Sequence, residues 1–364
     1  MKHILTYLAI GFLITSCSVS KNITVSTPAV KQPVEQNTST GEMQTTETLV
    51  LSATVSPEID QARITLENAD KLVEISVFPF ENARLLAWLP GSDSLAVASM
   101  NSIRIVDARD FSTIKEYKSP DDSALLDFNA ASQRAIFSSD RQNLSIRDLT
   151  GREKKKITLT SGFGSATFNP DGSRVWVSSL EEFKAVAYDI QSGMEVSSCG
   201  GFETAAPVYT VFPSPAGKWL VWMARASIQL NDLENCRMTA HIGHEDFIIS
   251  HAFNSDESIL ATSAGGTVDG KFQPLIFLWD ATYGSLLRNI ILNEAPARSL
   301  AFSAGDDLLV SAGNGLFVWD SDFGRQVKEL APQDQQYSIA TFSKNGRYLA
   351  AATETDVHLF AIKP

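Results

Sequence analysis

An all-β fold of seven four-stranded antiparallel blades follows from three observations. An aromatic residue recurs about every forty positions, turn-forming residues follow it directly, and a residue-plus-Asp pair closes the third apolar stretch of each repeat. The landmarks are Trp88, Phe128, Phe168, Phe212, Phe253, Phe302 and Phe342, at intervals of 40, 40, 44, 41, 49 and 40 residues. Four short strands repeated seven times is the pattern of a seven-bladed β-propeller.

The elements of a repeat can be taken in order. After the aromatic residue come Pro90-Gly91, Asn169-Pro170-Asp171-Gly172, Pro215-Ala216-Gly217, Ser255-Asp256, Gly305-Asp306 and Asn345-Gly346. These are the residue types that tight hairpins require; only the stretch Asn129 to Ser132 is a weak turn. A second apolar strand follows each turn, for example at Trp219 to Trp222 and Tyr348 to Ala351. The third strand ends at Asp107, Asp148, Asp189, Asp232, Asp280 and Asp320, while the seventh copy has Phe360-Ala361 and no Asp. An amphipathic fourth strand comes next, as in Thr113 to Tyr117. The seventh copy stops after its third strand, and residues 72–78 precede the first copy at the spacing of a fourth strand. The N-terminal strand is therefore predicted to complete blade seven, closing the ring without a ragged final blade.

Outside the repeats, 364 residues with 44% apolar and 20% charged side chains can bury a large core. The formal net charge of −12 repels phosphate backbones, so nucleic acid is not an expected partner. Lys2 and His3 precede an apolar run from Ile4 to Ile14, about half of the roughly 20 residues that cross a bilayer. A basic start, a short apolar core and small residues before a processing point make a secretory signal. The stretch Ile14-Thr15-Ser16-Cys17 resembles the lipobox of bacterial lipoproteins. That resemblance implies removal of residues 1–16, with Cys17 acylated as the mature N-terminus. Ser18, in place of the Asp that often retains lipoproteins at the inner membrane, points to the outer membrane of a two-membrane cell. Residues 18–60 contain no aromatic side chain and 14 Ser or Thr, the composition of a flexible tether. The propeller is assigned to residues 61–364.

The repeats resemble the WD-repeat family. Trp279-Asp280 and Trp319-Asp320 are its namesake dipeptide, and Gly243-His244 lies nine residues before Phe253, the spacing of its Gly-His signature. The resemblance implies a hydrogen-bonded group of His, Ser/Thr, Asp and Trp inside each blade. Only blade five offers His244, Thr262 and Trp279 together, with Gly265 and Gly266 where the Asp belongs. Blade stability is therefore expected mainly from apolar packing between neighbouring sheets. Ile64 to Ala69 is similar to the lead-in strand of secreted bacterial propellers.

No nucleophile elbow, zincin helix, phosphate loop or dinucleotide fingerprint is present, and no cofactor is expected. His241, His244 and His251, placed on the outer strand, the signature position and the inner strand of blade five, are too far apart for a metal site. Asn169 to Trp176 nearly matches the aspartate box of sialidase-type propellers but reads better as an ordinary turn. Cys199 and Cys236 are expected at opposite ends of diverging outer strands, and so unbridged.

Two features break the sevenfold pattern. Blade five carries the longest loop between second and third strands, with extra residues from Gly265 to Gln273 that include Lys271 and Phe272. Six residues before each landmark stand Asn82, Asp122, Gly162, Ala206, Phe247, Pro296 and Gln336, of which only Phe247 is aromatic. Phe247, Lys271 and Phe272 are thus the candidate binding residues. The expected function is a monomeric, non-catalytic, lipid-anchored extracytoplasmic platform for a protein or peptide. The alternatives are a carboxylate-based hydrolase or lyase at the channel mouth, which a buried, perturbed carboxylate pair would mark, and a polysaccharide-binding envelope protein, which exposed tryptophans would mark.

Overall fold

The computed structural model describes residues 61–363 except 92, 120–122, 180–183 and 201–209. The signal segment, Cys17, the tether, Asp122 and Ala206 lie outside the described residues. Strands are lettered a to d from the inner strand outward. Blade one comprises Leu85–Trp88, Ser94–Ala98, Ser102–Asp107 and Thr113–Lys118; blade two Ala124–Asn129, Arg134–Ser138, Asn143–Asp148 and Glu153–Thr158. Blade three comprises Phe163–Phe168, Arg174–Ser179, Ala185–Asp189 and Glu195–Cys199; blade four Thr210–Pro213, Trp219–Met223, Ser227–Asp232 and Met238–Gly243. Blade five comprises Ser250–Phe253, Ile259–Val268, Lys271–Asp280 and Leu286–Ile291. In blade six, Ser299–Phe302 and Gln326–Gln336 flank the run Leu308–Asp320. That run doubles back at Gly315 (φ +88°) to supply strands b and c, and Ser321 N–H donates to the Asp307 carbonyl at 3.1 Å across the pair. Blade seven has Ile339–Phe342, Leu349–Ala352 and Asp356–Ile362, with Leu72–Pro79 as its outer strand.

The N-terminal strand closes blade seven as predicted, pairing from Leu72 opposite Ile362 to Pro79 opposite Asp356 with a bulge between Glu74 and Ser76. His358 Nδ1 and Glu74 Oε2 meet at 2.7 Å across this seam, so the buried His358 is also a polar fastener. The lead-in segment differs from expectation. Ile64 to Ala69 forms turns and enters a short 3₁₀ helix, Ala69–Lys71, rather than a strand. Its backbone bonds go to loops instead of a ladder: Ile64 N–H to the Gly346 carbonyl (2.7 Å) and Leu66 N–H to Asp307 Oδ2 (2.7 Å). Ile64 and Ala69 then bury their side chains between blades six and seven.

Why six repeats carry the Asp is visible in the c–d turns. Each Asp accepts backbone N–H groups of its own turn, for example Ser192 N–H on Asp189 at 2.7 Å and Thr282 N–H on Asp280 at 2.8 Å. The Ser192 backbone N–H and then its hydroxyl hold the Asp189 carboxyl below the usual range. Blade seven receives its outer strand from the N-terminus, has no c–d turn, and has Ala361 in place of the Asp.

Seven clusters of buried apolar side chains fill the seven spaces between neighbouring blades, as in Trp176 with Trp222 and Phe212 with Leu260. Hydroxyls add polar stitching. Ser250, Ser299 and Ser338 donate to the Ala297, Ala340 and Ala83 carbonyls of the next blade at 2.7, 3.4 and 3.2 Å.

The cysteines correct the sequence expectation: Cys199 and Cys236 form a disulfide with Cα atoms 5.5 Å apart. The c–d turns do not diverge from the preceding blade but lie against its outer strand. Gly284 approaches Ala240 and Ile242, and Gly324 approaches Ile290 and Arg288. The left-handed position of that turn is Gly in four blades, Phe111 in blade one and Cys236 (φ +61°) in blade four. Where a β-carbon elsewhere would strike the neighbouring strand, the Cys236 side chain reaches Cys199.

Candidate functional site

The site is built on blade five. Its long b–c connection is not a loop, as the sequence suggested, but an extension of the sheet. Strands b and c pair without interruption from Ile259 opposite Asp280 to Val268 opposite Lys271. Asp269 (φ +51°) and Gly270 (φ +73°) make the turn, both left-handed, which is the type I′ geometry that an Asp-Gly pair supports and that matches strand twist. The result is a two-stranded crest rising past strands a and d.

Phe272 on the crest is 61% exposed and Phe247, in the segment joining blade four to blade five, is 49% exposed; Lys271 is exposed beside them. A β-carbon built on Gly265 falls 2.5 Å from Phe272 Cζ and 2.8 Å from Asp246 Oδ2, so the ring and the carboxylate next to Phe247 converge on one glycine. Thr267 donates to Glu245 at 2.8 Å, tying the joining segment to the crest. The Arg225 guanidinium lies over the Phe247 ring at 4.6 Å.

Beneath the crest, His244 Nε2 and Thr262 Oγ1 lie 2.8 Å apart, and Trp279 Nε1 donates to Thr262 at 2.9 Å. Phe277 and Trp279 pack on the imidazole, with centroids 5.2 Å away in each case. His244 Nδ1 has no hydrogen-bond partner among the described residues. A β-carbon on Gly266 would sit 2.8 Å from Phe277 Cζ, so any larger residue there must displace that ring. Burial pushes His244 down to about 4, so the ring is neutral at pH 7. Blade six keeps half of this arrangement: Trp319 donates to Ser311 at 2.8 Å, with Asn293 at the register of His244. A cavity of about 20 Å³, lined by Asn293, Ser311 and Trp319, lies there. The corresponding positions of blade three, Leu159, Val177 and Tyr188, line a second of about 30 Å³. Both are at most water-sized.

Of the three histidines weighed as ligands, His241 lies on the outer strand of blade four, one blade away from its expected place. His251 stacks on Phe212 at 4.4 Å, and burial pushes it down to about 4. Among the described residues, no three His, Cys, Asp or Glu side chains group to hold a metal ion.

The buried carboxylates are Asp127, Glu257 and Asp320. Asp127 accepts the Phe128 and Phe168 N–H groups at 2.8 Å each, linking blades two and three. Burial pushes it up to about 7 against the pull of those two bonds. Glu257 accepts the Ser214 hydroxyl at 2.6 Å, the Lys218 N–H at 3.0 Å and the Ala216 N–H, clamping blade five to blade four. Asp320 belongs to its c–d turn and pairs with Arg325 at 3.0 Å. The three lie on separate blades and each is engaged by main-chain donors. All six tryptophans are buried.

Sequence reasoning missed exposed apolar side chains at the outer edges of blades five and six: Tyr283, Leu286, Leu287, Ile291 and Phe323 are all exposed. The signal was the outer strand Leu286–Ile291, which carries one charge where Glu153–Thr158 of blade two carries four.

The described residues thus form a seven-bladed β-propeller with a raised, aromatic-bearing blade. No family model matches the chain, and no curated protein matches it. No helix among the described residues is long and apolar enough to cross a membrane.

Proposed function

We propose that this chain is a lipid-anchored, extracytoplasmic, WD-repeat-like propeller that binds a protein or peptide partner at the crest of blade five and acts as a monomer. Residues 1–16 are the signal removed on export, Cys17 carries the acyl groups, and residues 18–60 give reach of about 35–40 Å. One acyl chain binds a membrane weakly and two or more anchor it. The observation that carries the binding assignment is the convergence on Gly265 of the Phe272 ring and the carboxylate of Asp246, the residue before the exposed Phe247. Two large exposed rings, Phe272 on paired strands and Phe247 on the segment that Thr267 ties to them, are anchors of the kind that dominate interfaces. The Cys199–Cys236 bridge supports export, since disulfides persist in oxidising compartments.

Catalysis by carboxylates is the weaker assignment. Asp127, Glu257 and Asp320 are engaged by main-chain donors on separate blades, and neither the blade-three nor the blade-six cavity holds a substrate-sized group. Polysaccharide binding lacks exposed tryptophans to stack on a sugar.

The test is in-cell crosslinking of the full-length protein, followed by mass spectrometry of what co-purifies. A partner held by wild type and lost from Phe247→Ala/Phe272→Ser supports the platform. Equal capture by both proteins, or none by either, refutes it. Cys17→Ser tests the anchor separately, and is expected to move the protein from the membrane to the soluble fraction.

A further inference from the structure

The crest leaves one rung of its sheet open, and its geometry defines what would fill it. In a two-residue hairpin with Asp269-Gly270 at the turn, Val268 and Lys271 exchange the closing pair of hydrogen bonds. Antiparallel ladders alternate, so at the next position Phe272 points its N–H and C=O away from strand b. Pro274, two residues on, confirms the alternation: its carbonyl faces outward and accepts the Leu292 N–H at 2.9 Å. Strand d pairs with strand c only from Leu275 onward. Among the described residues, Lys271 to Gln273 therefore have strand b on one side and no strand on the other, and the Phe272 backbone is an open donor and acceptor beside its own exposed ring. Pro274 lacks an N–H, so the open edge ends there.

The charges around the rung have a bias. Glu245, Asp246 and Asp269 stand on the crest or at its base, against Lys271 and the Arg225 that lies on Phe247. The whole chain carries −12. A cationic segment is favoured locally and steered by the field of the molecule.

Resting on the platform assignment, we propose that the partner presents an extended, cationic peptide that adds to the outer edge of strand c in blade five. It continues the line of strand d, antiparallel to strand c, and exchanges two backbone hydrogen bonds with Phe272. Apolar side chains lie on the Phe272 ring, and Lys or Arg side chains meet Glu245, Asp246 and Asp269. Recognition is by main chain first and by charge second.

The test uses a fluorescently labelled peptide of alternating lysine and valine, read by anisotropy against the full-length protein. Saturable binding is expected, with exchange of the Phe272 amide slowed in the complex. A glutamate–valine peptide is expected to bind at least about tenfold more weakly. The lysine–valine peptide N-methylated at alternate residues, which blocks strand addition while keeping the charge, is expected to weaken by about tenfold or more. Phe272→Ser is expected to weaken binding while leaving the melting temperature unchanged. Equal binding of the N-methylated peptide, equal binding of the acidic peptide, or no saturable binding up to roughly 1 mM each overturns the proposal. Failure here with partner capture intact removes strand addition and leaves the platform; loss of capture removes both.

Discussion

Replacing Cys199 and Cys236 by alanine is expected to lower stability by about 4 kcal/mol. The bridge joins residues 37 apart in sequence, and closing a loop of that size in the unfolded chain removes about 13 cal/mol/K of entropy in the chain-entropy treatment. For a folded unit of about 300 residues, with an unfolding entropy near 2 cal/mol/K per residue, that is a fall of about 6 °C in melting temperature. The position of Cys236 adds a second, distinguishing comparison. It is left-handed at φ +61°, where four other blades have glycine. Cys199→Ala/Cys236→Gly relieves a conformation that costs an L-residue roughly 1 kcal/mol, and is expected to melt about 1–2 °C above the double alanine variant. The assay is a thermal melt of the three proteins, with alkylation of the unreduced native chain mapped by peptide. Labelling of both Cys199 and Cys236 in the native protein, or a double alanine variant melting with wild type, would refute the packing of the c–d turn against the preceding outer strand.

Other perturbations probe the polar interior. Asp127, raised to about 7 from 3.8, favours the folded state most when neutral. Its contribution is full below the unfolded pKa and is lost as pH rises through 7. His244 and His251, lowered to about 4, act oppositely, because the unfolded chain takes up their protons as pH falls below 6.5. The stability difference between wild type and Asp127→Asn isolates the carboxyl, and should shift by about 3 kcal/mol between pH 4.5 and 7.5 in urea titrations; a flat difference contradicts its burial. His244→Asn should cost about 1–2 kcal/mol by losing the Thr262 bond and the ring contacts, whereas Asn293→His should bond Ser311, fill the blade-six cavity and raise the melting temperature. Gln133, left-handed at φ +50° in the weakest a–b turn, should gain about 0.5–1 kcal/mol as Gln133→Gly in the same urea titrations.

What the sequence made legible was what repeats seven times. The aromatic landmarks, the Asp residues and the closing strand all sit where spacing put them, because each answers a local demand: a hairpin turn, a c–d turn, an unpaired edge. What it hid depends on contacts between blades. The Cys199–Cys236 bridge needed the twist that lays one blade's turn on the previous blade's outer strand. Four residues after the closing Asp stand Phe111, Gly193, Cys236, Gly284 and Gly324 in blades one and three to six, and that alignment was the available clue. Asp269-Gly270 announced a hairpin rather than a loop, by turn chemistry alone. The expectation of a strand at Ile64 to Ala69 rests only on its resemblance to the lead-in strand of secreted propellers, yet its backbone donors found Gly346 and Asp307 instead. Phe247 and Phe272 were identifiable as departures from the repeat; that the Phe272 ring and Asp246, the residue before Phe247, meet at Gly265 was not, because a glycine's neighbours leave no mark in sequence.

The most direct test of the platform is a position scan with a photo-reactive phenylalanine analogue in the lipid-anchored protein in cells. One copy replaces Phe272 on the crest or Phe247 on the joining segment beside it, and another replaces Tyr283 at the outer c–d turn of blade five. The account predicts a discrete partner crosslinked from positions 272 and 247 and absent from position 283. The same products from all three positions, or a partner captured only from position 283, would contradict it.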